Sequence, residues 1–115
     1  IRNKGGSVIN FSTIAVPLGL KGESIYSASK AGVENFTRSF AKEVSHFNIN
    51  VNCIAPGPIK TNLLKGLTQE QIKSTISKQI IVKQFAPKDI CNLVEILLDP
   101  RSNSLSGQIL RVGGV

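Results

Sequence analysis

The feature of this sequence that most constrains its fold is an alternation of strand-like and helix-like segments along 115 residues. The segment GSVINFS at 6–12 has the composition of a β-strand, and a second apolar run at 49–54 stops at the turn sequence PGP at 56–58. Between these two runs, apolar residues recur at spacings of three and four, which predicts a long amphipathic helix. The stripe consists of Val33, Phe36, Phe40, Val44 and Phe47.

The second half of the chain continues the alternation. Thr68 and Gln71 have the spacing of a capping box, which predicts the start of a helix. Pro87 is suited to the first turn of a further helix with an apolar face. That face comprises Ile90, Leu93, Val94, Leu97 and Leu98. The segment GQILRV at 107–112 then predicts a third strand.

This order predicts an α/β fold in which a parallel sheet is covered by helices on both faces, as in doubly wound, Rossmann-like domains. Three parallel strands are few for an independent domain of that kind, so we expect one sheet edge to pair with strands that this sequence does not contain. The sequence therefore predicts one part of a larger domain.

Charge and hydrophobicity exclude some classes of partner. The net charge is +7, but the lysines are dispersed and lack the interleaved aromatic residues of a nucleic-acid stacking platform, so we expect no nucleic-acid partner. No apolar run approaches the ~20 residues that span a bilayer, and no membrane partner is expected. The densest basic set, which would favour an anionic substrate or carrier, is Lys60, Lys65, Lys73, Lys78, Lys83 and Lys88.

The two cysteines, Cys53 and Cys91, lie in apolar segments without CxxC spacing. This pattern favours buried free thiols in a reducing compartment, and we expect a cytoplasmic protein without a metal site. The single histidine, His46, has no partner in the sequence for metal binding, and we expect a structural role near the end of the long helix.

The segment SIYSASKAG at 24–32 contains the only tyrosine, Tyr26, four residues before Lys30. Side chains at this spacing share one face of a helix, so the Lys30 ammonium would lie close to the Tyr26 phenol. A nearby cation favours a phenolate and suits a phenol to proton transfer near neutral pH. An aromatic residue and a lysine also fall at this spacing by chance in many helices, where the lysine is merely solvated.

Four segments in this order strongly resemble the second half of the short-chain dehydrogenase/reductase family, of the type that includes 3-oxoacyl-acyl-carrier-protein reductases. They are GSVINFSTIA, YSASKAGVENFTRSFAKE with its tyrosine-x-x-x-lysine motif, INVNCIAPGPIKT and SGQILRVGG. The resemblance covers the whole chain, so residues 1–115 are expected to form the carboxy-terminal portion of a single Rossmann-like domain.

The resemblance implies hydride transfer between NADP or NAD and a carbonyl or alcohol, with Tyr26 as the proton donor or acceptor. Lys30 would bind the nicotinamide ribose as well as acting on Tyr26. The family's substrate-orienting serine lies thirteen residues before the tyrosine, and that position is Thr13. Threonine keeps the hydroxyl but adds a methyl group, and strand alternation would turn Ser12 to the opposite side.

The turn after the second strand resembles the family's nicotinamide-side loop. Pro56 and Gly57 would form the turn, and the backbone of Ile59 and the hydroxyl of Thr61 would meet the carboxamide. The glycine would let the backbone approach the cofactor closely. The stretch 62–82 resembles the family's mobile substrate loop, with an apolar face from Leu63, Leu64 and Leu67 that would equally suit ordinary packing.

Other family features are absent from this sequence, which contains neither the glycine-rich phosphate loop nor an identifiable catalytic asparagine. The leading hypothesis is an NAD(P)-dependent oxidoreductase whose substrate is a small carbonyl or alcohol, possibly a carrier-bound 3-oxoacyl thioester. The alternative is a non-catalytic fragment or assembly subunit. The family's packing habits further imply a homo-oligomer, for which the long helix and the residues at 90–98 would supply either core or interface.

Overall fold

The computed structural model describes residues 5–60 and 67–115. It contains three strands and four α-helices in an alternating order. They are β1 (Gly6–Phe11), α1 (Ala15–Leu18), α2 (Ser24–Val44), β2 (Ile49–Ala55), α3 (Gln69–Ser77), α4 (Pro87–Leu98) and β3 (Ile109–Arg111). Short 3-10 turns follow α2 at Ser45–Phe47 and α4 at Pro100–Ser102.

The three strands form one parallel sheet in the order β1-β2-β3. The central strand, β2, is fully buried from Val51 to Ala55, which explains its near-continuous apolar run. β3 is shorter than the expected 107–112 segment. The α/β class and the parallel sheet are confirmed.

Successive residues of β1, Ile9 and Asn10, face opposite layers of helices. Ile54 packs in a core with Leu97 of α4 and Val112, and Ile9 of β1 joins it. On the other face, Asn10 Nδ2 donates to Thr37 Oγ1 of α2 at 3.1 Å. The sheet is therefore covered on both faces, as the sequence predicts.

The helix starts and ends follow local sequence signals. The Thr68 hydroxyl accepts from the Gln71 amide at 3.0 Å, and the Gln71 side chain accepts from the Thr68 amide at 2.8 Å, so the capping box at α3 is confirmed. Pro87 occupies the first turn of α4, where its missing N–H costs no hydrogen bond. The short helix α1 was not anticipated, because Pro17 and Gly19 indicated a loop.

The apolar stripe of the long helix is only partly buried. Phe36 of α2 is 53% exposed and Phe47, in the turn after it, is 60% exposed, whereas Glu34, Thr37 and Ala41 are buried. Of the two roles that the sequence left open for this helix, core or interface, the two exposed aromatic residues do not take the first. The sheet beneath α2 presents polar atoms, including the Asn10 amide, and these favour polar partners on the helix.

One expectation on α4 is wrong. Cys91 is an exposed free thiol, whereas Cys53 is buried and free as expected. On the apolar face of α4, Leu97 is buried and Ile90, Leu93 and Val94 pack against the core, but Leu98 is exposed. Both exposed residues lie on the outer surface of the helix, since the core contacts its other side.

Candidate active site

The candidate site lies where β1 and β2 end. The register pairs Phe11 with Ile54, and the pairing continues beyond the strands, since the Ser12 amide donates to the Ile54 carbonyl at 2.9 Å. The Ile14 amide then donates to the Pro56 carbonyl at 3.1 Å. These bonds bring the segment after β1 alongside the Pro-Gly turn after β2.

Helix α2 brings Tyr26 and Lys30 to the same edge of the sheet. Their spacing places the Lys30 Nζ 5.9 Å from the centroid of the Tyr26 ring. The Lys30 ammonium also donates to the Phe11 carbonyl at 3.2 Å, which ties it to the end of β1. The phenol is half exposed, with 49% of the residue accessible to solvent. A proton can therefore reach it from the open side of the sheet.

Four of the sequence-predicted site residues line one open cavity of about 670 Å³. They are Thr13, Tyr26, Pro56 and Gly57. Lys30 lies beside the cavity through its contact with Tyr26. Ile59 does not line this cavity, and Thr61 lies outside the described residues.

The hydroxyls of Ser12 and Thr13 have different environments. Thr13 lines the cavity, and its Oγ1 accepts from the Ala15 amide at 3.2 Å while its own hydrogen remains available. Ser12 is buried, and its Oγ donates to a carboxylate oxygen of Glu34 at 2.5 Å. Of these two hydroxyls, only that of Thr13 is free to donate to a ligand in the cavity.

Gly57 is required by internal packing. A Cβ at this position would lie 2.3 Å from Gln79 Oε1 and 2.8 Å from Ile14 Cδ1. Gln79 is buried, and its Nε2 donates to the carbonyls of Ile81 and Lys83, each at 3.0 Å. The backbone turn and this loop therefore fit closely only when residue 57 has no side chain.

An ion pair that no sequence pattern indicated joins β3 to α2. Arg111 of β3 donates from Nη1 and Nη2 to the two carboxylate oxygens of Glu34, at 2.5 and 2.7 Å. Burial alone would raise the pKa of Glu34, but the bonds from Arg111 and Ser12, with the charges of Arg111 and Arg38, hold that pKa below its ordinary value. The carboxylate is therefore ionised at neutral pH.

The surroundings of the cavity include basic and apolar side chains. Lys21 and Lys78 line it, as does Leu67. Lys78 belongs to the predicted basic set, and Lys65 of that set lies outside the described residues, as do Leu63 and Leu64 of the predicted apolar face. Two ammonium groups therefore line the cavity, one of them at the end of α3, together with one carboxylate, that of Glu23.

Within residues 5–60 and 67–115, no cluster of three or more His, Cys, Asp and Glu side chains has a metal-binding arrangement. None of the helices in these ranges combines the length and apolar character needed to cross a bilayer.

Burial, with the nearby Glu34 charge, raises the pKa of the Cys53 thiol, so this buried sulfur stays protonated.

Comparison with known families decides the family of the chain. A family model described as Enoyl-(Acyl carrier protein) reductase matches residues 1–114. The chain belongs to the short-chain dehydrogenase/reductase family. The resemblance that four sequence segments in this order indicated is thereby confirmed.

Relatives within this family are similar along nearly the whole chain. Carbonyl reductase family member 4 from Danio rerio is 41% identical over 110 residues, which cover 96% of this chain and 44% of that protein. The 3-oxoacyl-[acyl-carrier-protein] reductase FabG from Vibrio harveyi is 33% identical over 114 residues, covering 99% and 47% respectively. FabG from Aquifex aeolicus is 34% identical, covering 99% and 46%. The chain thus spans about half the length of the curated relatives it matches.

Proposed function

We propose that the protein is an NAD(P)-dependent oxidoreductase that transfers a hydride between a nicotinamide and a carbonyl or alcohol. The observation that carries this proposal is the cavity at the carboxyl ends of β1 and β2, which a phenol, a free hydroxyl and a glycine turn line together. Family membership and the names of the reductase relatives support the same chemistry.

Tyr26 carries the reaction's proton in this proposal. In the direction of carbonyl reduction, the Tyr26 phenol donates its proton to the carbonyl oxygen, which becomes the alcohol oxygen. The Lys30 ammonium, close to the ring, stabilises the phenolate that remains. The Thr13 hydroxyl donates a hydrogen bond to the same oxygen and orients the substrate.

The nicotinamide half of NADP or NAD fits the residues present. The Pro56–Gly57 turn forms one wall of the cavity, and the half-exposed Tyr26 ring forms another. When bound, the reduced nicotinamide supplies the hydride that reaches the carbonyl carbon. Lys30 would hold the ribose hydroxyls, while Ile59 and Thr61 remain proposed contacts for the carboxamide.

A carrier-bound 3-oxoacyl thioester is the proposed substrate. Two curated relatives have names that describe 3-oxoacyl-[acyl-carrier-protein] reductases. The lysines at the cavity, Lys21 and Lys78, would attract an acidic carrier or the phosphate of its prosthetic group. Leu67 would contact the apolar acyl chain.

Assembly and location extend the proposal. The exposed aromatic residues of α2 offer an apolar surface to a second copy, since Phe36 stacks on Phe40 with ring centroids 5.1 Å apart and Phe47 is also exposed. We therefore expect a homo-oligomer. The free thiols of Cys53 and Cys91 are consistent with the cytoplasm, which we propose as its location.

An activity assay of the full-length protein tests this function directly. Oxidation of NADPH and of NADH is followed with an acetoacetyl group carried either by acyl carrier protein or by coenzyme A. We expect turnover with at least one cofactor and a higher kcat/KM for the protein-bound thioester. Failure to bind either cofactor, together with no turnover of any carbonyl or alcohol, would favour the non-catalytic alternative.

A further inference from the structure

The buried carboxylate of Glu34 joins three elements of the fold. Glu34 lies on α2 and is 2% exposed, Ser12 follows β1, and Arg111 belongs to β3. The carboxylate accepts one hydrogen bond from the serine hydroxyl and two from the arginine. Such a two-pronged contact fixes direction as well as distance, because the guanidinium is planar and rigid.

The same network reaches the backbone of two site residues. Ser12 Oγ lies 3.4 Å from the Lys30 carbonyl, and Arg111 Nη1 lies 3.5 Å from the Thr13 carbonyl. The first contact joins the end of β1 to the turn of α2 that carries the lysine. The second joins the segment bearing the reactive hydroxyl to β3.

Stability alone does not account for this arrangement. Removing two charges from water costs about as much as their attraction returns, and packed apolar residues often stabilise a core as well as an ion pair does. An apolar cluster would, however, leave the segment after β1 free to shift against α2. A hydrogen-bonded ion pair holds the segment after β1 and helix α2 in one relative position. A proton-transfer site needs this, because its reacting groups must be placed to within fractions of an ångström.

We propose that Glu34 and Arg111 are positioning residues, which set the Thr13 hydroxyl and the Lys30 ammonium relative to the Tyr26 phenol. The inference rests on the proposed function of these three residues. Glu34 and Arg111 act through Ser12 and through backbone carbonyls, and the inference assigns them no contact with the substrate.

The test compares kcat and KM of the full-length protein with those of Glu34→Gln, Arg111→Gln and the double variant. Rates are expressed per folded protein at a temperature well below each Tm. We expect kcat to fall roughly 10- to 100-fold in each single variant while KM for both substrates stays within about 2-fold. The double variant should lose little more than either single variant, because both changes break one unit.

Two further variants keep the result interpretable. Arg111→Lys retains the cation but loses the two-pronged contact, so kcat should fall even where Tm is nearly normal. If Glu34→Gln does not fold, the kcat of Arg111→Lys tests the positioning role instead. Arg101→Gln is the matched control, because it removes an arginine bonded to a carboxylate, Asp99, on the exposed surface. It should leave kcat unchanged.

Tyr26→Phe separates failure of this inference from failure of the proposed function. If Tyr26→Phe abolishes turnover while Glu34→Gln and Arg111→Lys keep a normal kcat per folded protein, the network is only structural and the inference is wrong. If Tyr26→Phe itself turns over normally, the proposed site is wrong. Lowered Tm with normal kcat in both network variants likewise overturns the positioning role.

Discussion

Glu34 and Arg111, 77 residues apart in the sequence, form a two-pronged ion pair directly beneath the candidate active site. The pair joins the long helix to the last strand, and Ser12 extends it to the end of the first strand. Two residues that line the cavity, Ser12 and Thr13, thus contact this polar network. Its charge also makes the stability of the fold sensitive to acid.

Acid should destabilise the protein partly through Glu34. Its carboxyl has a pKa below the ordinary glutamate value in the fold, so the unfolded chain binds a proton more readily. The resulting stabilisation is present above the unfolded pKa and is lost as the pH falls through the folded one. Calorimetry from about pH 7 to about pH 3 should therefore show a steeper fall of Tm in the wild type than in Glu34→Gln.

A matched control distinguishes this effect from general acid denaturation. The pKa of Asp99 is also lowered by its bonds with Arg101, but that pair lies on the surface and is screened by salt. Asp99→Asn should therefore follow the wild-type profile closely. Parallel curves for the wild type and Glu34→Gln would show that Glu34 contributes no pH-dependent stability.

The hydroxyl of Thr13 should matter more for catalysis than that of Ser12. Thr13→Val keeps the branched shape but removes the donor, which should cost about 2–4 kcal/mol of transition-state stabilisation, measured as kcat/KM. Thr13→Ser should keep or improve activity. Ser12→Ala should lose less than Thr13→Val, and no more than Glu34→Gln, since the Ser12 hydroxyl acts only through its bond with Glu34. A severe loss in Ser12→Ala beside a mild one in Thr13→Val would contradict this assignment.

Gly57→Ala should destabilise the fold. The added methyl group would meet the buried Gln79 and Ile14, and such overpacking costs about 1–3 kcal/mol. Gly32→Ala provides the control, because nothing lies within 4 Å of a Cβ there and the site is an exposed helix position. It should raise stability by about 0.5–1 kcal/mol. Equal effects of the two variants in denaturant unfolding would refute the packing argument.

Lys30→Met should weaken both turnover and cofactor binding in the full-length protein. The substitution keeps an unbranched chain of similar length but removes the charge beside Tyr26. A cofactor at 100 times its Kd stabilises a protein by about 2.7 kcal/mol, and the variant should lose most of that thermal shift. Lys42→Met, in the exposed last turn of the same helix, should keep the shift. An unchanged thermal shift in Lys30→Met would show that Lys30 does not contribute to cofactor binding.

Local signals made much of this fold predictable from the sequence. The caps of α3 and α4 and the burial of β2 depend on residues within one turn or one strand. The meeting of Thr13 and Gly57 follows from the parallel order of neighbouring strands, whose carboxyl ends share one edge. Periodicity predicted the helix α2 itself but not that Glu34 and Thr37 would be its buried residues while Phe36 stays exposed.

Contacts between residues far apart in the chain could not be predicted from the sequence. No local pattern joins Glu34 to Arg111, because their pairing depends on how the last strand docks beside β2. The packing of Gln79 behind Gly57 depends on a loop whose course has no periodic signal. The sequence explained the glycine by close approach to a cofactor, which stays a prediction, whereas its close contact with Gln79 and Ile14 had no sequence signal.

The most direct test of the whole account is the turnover of Tyr26→Phe in the full-length protein. This change removes the only phenolic hydroxyl among the 115 residues and preserves the ring. We predict that kcat for carbonyl reduction falls at least ~10²-fold, while the cofactor-induced rise in Tm is largely retained. Near-normal turnover on the physiological substrate would contradict the assignment of Tyr26 as proton donor.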